Sequence, residues 1–365
     1  MTAHVDTDVD PQAPPAQATW QSKLARAGLR ALPHVGRWAA AIAGALLIFS
    51  ILVSFKGANP IDVFGDMWTS TFSRSRSIGE IFIRMAPLAL AALAVVVPAR
   101  AGMINVGGEG QVIVGAVAAA GVGLATDQVL PGGVVLLLMA IAAILAGALW
   151  AGIAALLRLV FNVNEAVTTL LLNFVSLDLL LFLIYQPWRE SPTQQPATRQ
   201  LATEAQLPTL AATGVHVGIV VAVIAAVVLA LALGRTRWGF RLAVVGGNPE
   251  AARRAGMPVT VLLLSALLVG GALAGLAGMI EFAGVETKLR PGFGTQIGYV
   301  GFLASWLARH KPVPVLIAAF TLAALAVGAD SLQLDSGLPA ATINILTALL
   351  LMAVLGWTAF RKKAA

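Results

Sequence analysis

The side chains with the most chemical potential cluster in Arg100-Ala-Gly-Met-Ile-Asn-Val-Gly-Gly-Glu-Gly-Gln111. Gly102, Gly107, Gly108 and Gly110 interrupt an apolar stretch there, beside Asn105, Glu109 and Gln111. Glycine frees the backbone from helical geometry, and irregular backbone at membrane depth is tolerated only where protein or water satisfies it. An acid such as Glu109 is costly near hydrocarbon without a partner or a wet cavity. The stretch therefore either lines a solute pathway or forms a cytoplasmic turn after Pro98 in which glycine permits tight packing. A second polar set, Thr168, Thr169, Asn173 and Asp178, follows Phe161-Asn-Val-Asn-Glu165, with Asn164 placed to cap a helix. Interhelical hydrogen bonds account for the threonines and Asn173, whereas an intramembrane carboxylate such as Asp178 usually faces a bundle interior or cavity. Asn105, Glu109, Gln111, Asn173 and Asp178 are accordingly the pathway candidates. Glu80 and Arg84 stand one helical turn apart, a spacing that allows an ion pair.

A third group is basic. Arg235-Thr-Arg-Trp-Gly-Phe-Arg241 leads into Val245-Gly-Gly-Asn-Pro-Glu-Ala-Ala-Arg-Arg-Ala-Gly-Met-Pro258. Asn248 is a good N-cap, Pro249 suits the first helical turn, and Glu250 complements the positive end of a helix. Ala251 and Ala252 continue it, Arg253 and Arg254 fall at its carboxyl end, Gly256 can take the left-handed cap, and Pro258 stops it. A helix of about two turns is far below the ~12–15 residues that stand alone in water. It therefore docks against a partner or rests on lipid headgroups through its arginines.

In Val269-Gly-Gly-Ala-Leu-Ala-Gly-Leu-Ala-Gly-Met-Ile-Glu281, Gly271 and Gly275 lie four apart with Gly278 beside them. Such a small-residue face lets helices approach closely in a bilayer, so packing is the expected role, and Glu281 is expected to reach the interface. Several chemistries are excluded. There are no cysteines, and His4, His34, His216 and His310 are scattered, so no metal site is expected. No phosphate loop, His-Glu-x-x-His or Gly-x-Ser-x-Gly occurs. The expectation is a chain without cofactor or catalytic centre.

The elements that carry these groups follow from composition. Of 365 residues, 58% are hydrophobic and only 11% charged, and the mean hydropathy is +0.86. Soluble proteins carry about 25% charged residues, so lipid is the natural solvent here. Apolar runs fall at roughly 38–55, 78–97, 111–126, 132–157, 166–185, 215–233, 259–283, 295–308, 313–329 and 339–357. They predict an all-α, polytopic transmembrane bundle of about ten spans, with short or broken helices near 98–126 and 290–308. Residues 1–37 read as a disordered and then basic tail, 38–358 as the transmembrane domain, and 359–365 as a basic end. Most of the 24 Lys and Arg fall in segments that ten crossings with an inner amino terminus put inside. The positive-inside rule then places both termini and the 234–258 loop in the cytoplasm and the Pro-, Gln- and Thr-rich 186–213 loop outside. The same rule explains the net charge of +7, with no need for nucleic acid.

Taken together, these residues resemble the permease subunits of ATP-binding-cassette importers, in the branch for branched-chain amino acids, ribose-type sugars and nucleosides. The resemblance runs from about 40 to 358. The 246–256 loop resembles that branch's cytoplasmic coupling segment, so the resemblance implies that Arg241, Gly247, Asn248, Pro249, Glu250, Ala251, Ala252, Arg253, Arg254 and Gly256 contact an ATPase subunit. Asn105-Val-Gly-Gly-Glu-Gly-Gln111 is similar to the pattern of nucleoside and simple-sugar permeases, with Gly108 where relatives carry a bulkier residue. Phe161-Asn-Val-Asn-Glu165 and Gly292-Phe-Gly-Thr-Gln-Ile-Gly298 fit the same group. The resemblance implies a nucleoside or monosaccharide permease in a bacterial inner membrane. Its expected partners are ATPase subunits, a second and usually non-identical permease, and an external binding lipoprotein. The rival class is an ion-coupled secondary transporter.

Overall fold

The structure, a computed structural model, describes residues 43–44, 46–191, 195–210 and 213–336, with positions 345, 348, 349 and 352. The expected tail 1–37, the last run 339–357 and the basic end 359–365 lie outside the described residues, those four positions apart. Every long element is helical. Helix α1 (Leu46–Phe55) meets α2 (Pro60–Phe72) at a bend of 112°. Gly57 supplies the left-handed turn with φ +80°, and Asn59 caps α2 by accepting the Ile61 N–H ahead of Pro60.

Helix α3 (Ser75–Arg100) is the axis of the bundle. It is apolar on all sides, and 83% of its apolar window is buried, as expected of a helix surrounded by others. Against it pack α7 (Gly218–Arg235), α10 (Val259–Glu281), α11 (Ile297–Leu307) and α12 (Pro312–Ser336), while α4 (Gly108–Thr126) touches it lightly and carries α5 (Gly132–Phe161) and α6 (Glu165–Tyr185) on its far side. Two short helices, α8 (Arg237–Gly247) and α9 (Pro249–Arg254), connect α7 to α10, and α10 continues into a π-helical turn over Phe282–Glu286. Only 28% of the corresponding window of α5 or α7, and 33% of α6, is buried, so these helices turn apolar faces outward.

Among the described residues seven helices are long and apolar enough to cross a membrane, or up to eight if α1 and α2 form one bent span. The expected count of about ten is not reached among the described residues. The first apolar run is bent, the last lies outside the described residues, and α11 has 11 residues, about 16 Å at 1.5 Å each. That is roughly half of a ~30 Å hydrocarbon core. Of the short or broken helices expected near 98–126, the structure shows the break, at the non-helical 101–107, followed by the 19-residue α4. Hydropathy measures the apolar run and not where the helix within it starts.

Small residues let α4, α5 and α10 meet backbone to backbone. A methyl group on Gly271 would lie 2.5 Å from the Ala151 methyl, and one on Gly147 would lie 2.7 Å from the Gly275 Cα. Gly115 faces Gly275, and Gly278 faces the Val112 carbonyl. Without a hydrophobic force between helices in lipid, such close van der Waals contact holds the bundle together.

The two ends of the bundle differ. At one, α8 lies across the end of α3, with Gly246 against the Arg100 carbonyl and Gly102. At the other, residues 195–210 form a strap. Its Thr198, Leu201 and Leu207 N–H groups donate to the carbonyls of Leu289, Thr287 and Ala283 at 3.0, 2.9 and 2.9 Å. Arg199 clamps the strap to Asp127 at the end of α4, with nitrogens 2.8 and 2.5 Å from the two carboxylate oxygens. These hydrogen bonds hold the Asp127 carboxyl below the usual carboxylate range.

Two predictions follow from packing and charge. Gly275→Leu drives a side chain into the Ala143 carbonyl, where backbone cannot yield. Overpacking costs typically about 1–3 kcal/mol, so the thermal midpoint in mild detergent falls; an unchanged midpoint contradicts the close packing. Because the folded pKa of Asp127 is lowered, the strap's ion pair contributes fully above about pH 3.9 and fades as pH falls through the folded value. Proteolytic nicking of the 195–210 stretch should rise in acid, and Asp127→Asn should show the raised nicking already at neutral pH.

Candidate functional site

The break between α3 and α4 creates a problem of unsatisfied backbone, because buried N–H and C=O groups need partners. Pro98 and Gly102, with φ +76°, end α3 and turn the chain into the interior. Helix α6 supplies the missing partners in sequence. Glu165 accepts the Ile104 N–H at 3.2 Å, and Thr169 accepts the Val106 N–H at 3.2 Å. Asn173 accepts the Gly110 N–H at 2.8 Å and donates to the Val106 carbonyl at 3.0 Å and the Tyr299 hydroxyl at 3.2 Å. Asn105 pairs amide to amide with Gln111, both bonds 3.0 Å, and accepts the Gly107 N–H at 3.0 Å. Glu165 is itself neutralised by Arg158 of α5. Gly110 is required by close approach, since a Cβ there would lie 2.8 Å from the Ser176 hydroxyl.

Glu109 completes the arrangement. Helix α11 begins inside the bundle, where its first N–H groups have no intrahelical partner and carry the positive end of the helix dipole. The Glu109 carboxylate accepts the Gln296 and Gly298 N–H groups at 2.6 and 2.7 Å. Gln296, in the left-handed region at φ +73°, turns the chain into α11, and Gly298 lets the starts of α4 and α11 touch at Gly108. Four of the pathway candidates, Asn105, Glu109, Gln111 and Asn173, are therefore brought together, each below 9% exposed, with polar atoms bonded to the chain itself. Asp178 is not among them. It lies exposed on the outward face of α6 with Leu171, Phe174 and Phe182.

Beside α11 opens a cavity of about 540 Å³, within the usual range of ligand sites. Its polar walls come from Glu80 and Arg84 of α3, Glu281 of α10, Glu286 and Arg290 of the following turn, and Gln296 at the start of α11. Arg84 pairs with Asp330 of α12 at 2.7 Å rather than with Glu80, because the bundle brings α12 alongside α3. Arg290 pairs with Glu286 at 2.6 Å. Glu281, expected at the interface, is only 7% exposed, because the π-helical turn carries the chain on beyond it. Sequence reading missed this cavity. Its signal is a set of ionisable residues at the ends of apolar runs that lie far apart in the chain.

At the opposite end, α8 is a helix that the sequence reading left as loop, although Thr236 caps it and Leu242 and Val245 share its buried face. Trp238 ties it to α10 by donating to the Ser265 hydroxyl at 3.0 Å. Asn248 caps α9 by accepting the Glu250 and Ala251 N–H groups at 3.1 and 3.0 Å. Ala252 is buried, while Arg241, Gly247, Pro249, Glu250, Arg253, Arg254 and Gly256 are exposed. Glu250 holds Arg253 and Arg254 at 3.2 and 3.3 Å, exposed pairs that add little stability.

Residues 77–355 match the family model described as the permease component of the branched-chain amino acid transport system. The chain is 36% identical over 322 residues to the glucose ABC transporter permease protein TsgB13 of Haloferax volcanii, covering 85% of this chain and 84% of that protein. It is 33% identical over 326 residues to the guanosine ABC transporter permease protein NupP of Bacillus subtilis, with 87% and 91% covered. A second guanosine permease of that bacterium, NupQ, is 25% identical over 289 residues, with 76% and 90% covered. No solved structure matches.

The Asn173 bonds yield a prediction. Asn173→Leu leaves the Gly110 N–H and Val106 carbonyl buried without partners, at about 1–3 kcal/mol. The thermal midpoint should fall clearly, and one equal to the wild type contradicts the bracing of 101–110 by α6.

Proposed function

The chain belongs to the branched-chain amino acid transport system permease family, an integral membrane protein of the ABC transporter permeases, and from that premise we propose that it is the permease subunit of a nucleoside importer. In this reading α8 and α9 face the cytoplasm and dock on a separate ATPase subunit. The observation that carries it is α9 itself: six residues, capped at its start, charged and exposed on all but Ala252. So short a helix has no independent stability, and its exposure is that of a surface kept for a partner.

Coupling then runs through contacts already in place. A push on α9 moves α8, whose Gly246 bears on Arg100 and Gly102. The 101–107 segment passes the motion to the start of α4, and Glu109 passes it to α11 and the wall of the cavity. In this role Asn105, Glu109, Gln111 and Asn173 position the pathway rather than touch the solute. Asp178 has a different part. A carboxylate on an apolar, outward face cannot rest in lipid, so a second permease covers α6 and Asp178 lines the path between the two. The similarity of the chain to both NupP and NupQ supports such a non-identical pair.

The name of NupP supports a nucleoside as the solute, and that of TsgB13 supports a monosaccharide as the second reading. Competition of labelled guanosine uptake by nucleosides, bases, pentoses and glucose separates them: nucleosides should compete best, and glucose alone competing reverses the order. An ion-coupled carrier would keep its uptake without the ATPase. Arg253→Glu with Arg254→Glu reverses the charge of the proposed docking helix and should abolish both uptake and co-purification with the ATPase. Unaltered co-purification sinks the docking role.

A further inference from the structure

In the cavity beside α11, both arginines are already matched, Arg84 by Asp330 and Arg290 by Glu286. Glu281 is not. It is buried at 7% exposure, faces the cavity, and among the described residues receives no hydrogen bond. A buried carboxylate without donors is costly, and a molecule that offers donors from the cavity side relieves that cost.

The walls define the chemistry of that occupant. A carboxylate is acceptor-only, with two oxygens side by side, so it fits a molecule offering two neighbouring donors. Thr295 and Gln296 both donate and accept, as hydroxyl recognition requires. Leu88, Ile297 and Val300 supply an apolar surface for the face of a ring. Among the described residues, no lining residue is Phe, Tyr, Trp or His, so they offer no platform on which a nucleobase stacks.

We propose that Glu281 is a specificity-determining residue of the permease, accepting two neighbouring hydroxyls of a polyhydroxylated ring held in this cavity. The inference rests on the importer reading and deepens it. The permease reads the sugar and is indifferent to the base, and the same site serves a ribonucleoside or a hexose.

The test uses the whole importer in proteoliposomes, with one binding protein throughout, so any change in selectivity belongs to the permease. The readout is the ratio of guanosine to 2′,3′-dideoxyguanosine uptake. Glu281→Gln should lower that ratio about tenfold, the worth of a hydrogen bond to a charged group, and uridine uptake should fall as guanosine uptake does. Glu281→Asp, which keeps the charge but withdraws it, is read in the same way should the Gln variant not assemble. A ratio equal to the wild type overturns the proposal, as does a loss confined to guanosine, which would make Glu281 a reader of the base. Should the wild type carry glucose and no nucleoside, the nucleoside reading alone fails. Glu281 is then judged on glucose against 2,3-dideoxyglucose, with the same fall expected and the same equality overturning it.

Discussion

A helix that starts inside a membrane protein brings its free N–H groups and its positive end with it, and something anionic must meet them. Here that is Glu109, with two bonds to the start of α11. The half-length α11 depends on this contact, which meets its first N–H groups. The contact in turn fixes where α4 begins, since Glu109 lies in its first turn. The break between α3 and α4 is then unavoidable, and so is the row Glu165, Thr169 and Asn173 along α6 that satisfies it. One electrostatic requirement thus organises the starts of three helices.

The same region explains why glycine is so frequent. Gly108 and Gly298 let two helix starts touch, and Gly246 lets α8 reach the end of α3. Where α4, α5 and α10 meet, the backbones are in contact, leaving no soft layer of side chains to absorb motion. Under the proposed coupling, displacement of α8 would pass through 101–107, which Gly246 touches at Gly102. The strap at the other end, pinned by Arg199 and Asp127, covers the ends of α4 and α10 in the same manner.

Much of this was legible in single segments. Asn248, Pro249, Arg253 and Gly256 specify α9 by local capping alone, and Asn164 likewise caps α6. The glycines and polar residues of 100–111 marked an irregular buried segment. Their partners were not legible: Glu109 and Gly298 are separated by 189 residues. Arg84 and Glu80 read as a local pair, yet α12 brings Asp330 closer. Glu281 read as an interfacial residue because the sequence does not announce the π-helical turn that follows it.

By itself, then, the sequence determined solvent, helical class, capping and the family motifs, since each depends on composition or on neighbours within a few residues. Only the tertiary structure decided that α11 has about half the length of a crossing helix, that four polar candidates serve one another and the backbone, and that Glu281 faces a cavity without a hydrogen bond among the described residues. These outcomes turn on which helices lie side by side, and burial and hydrogen bonding between distant segments exist only once they do.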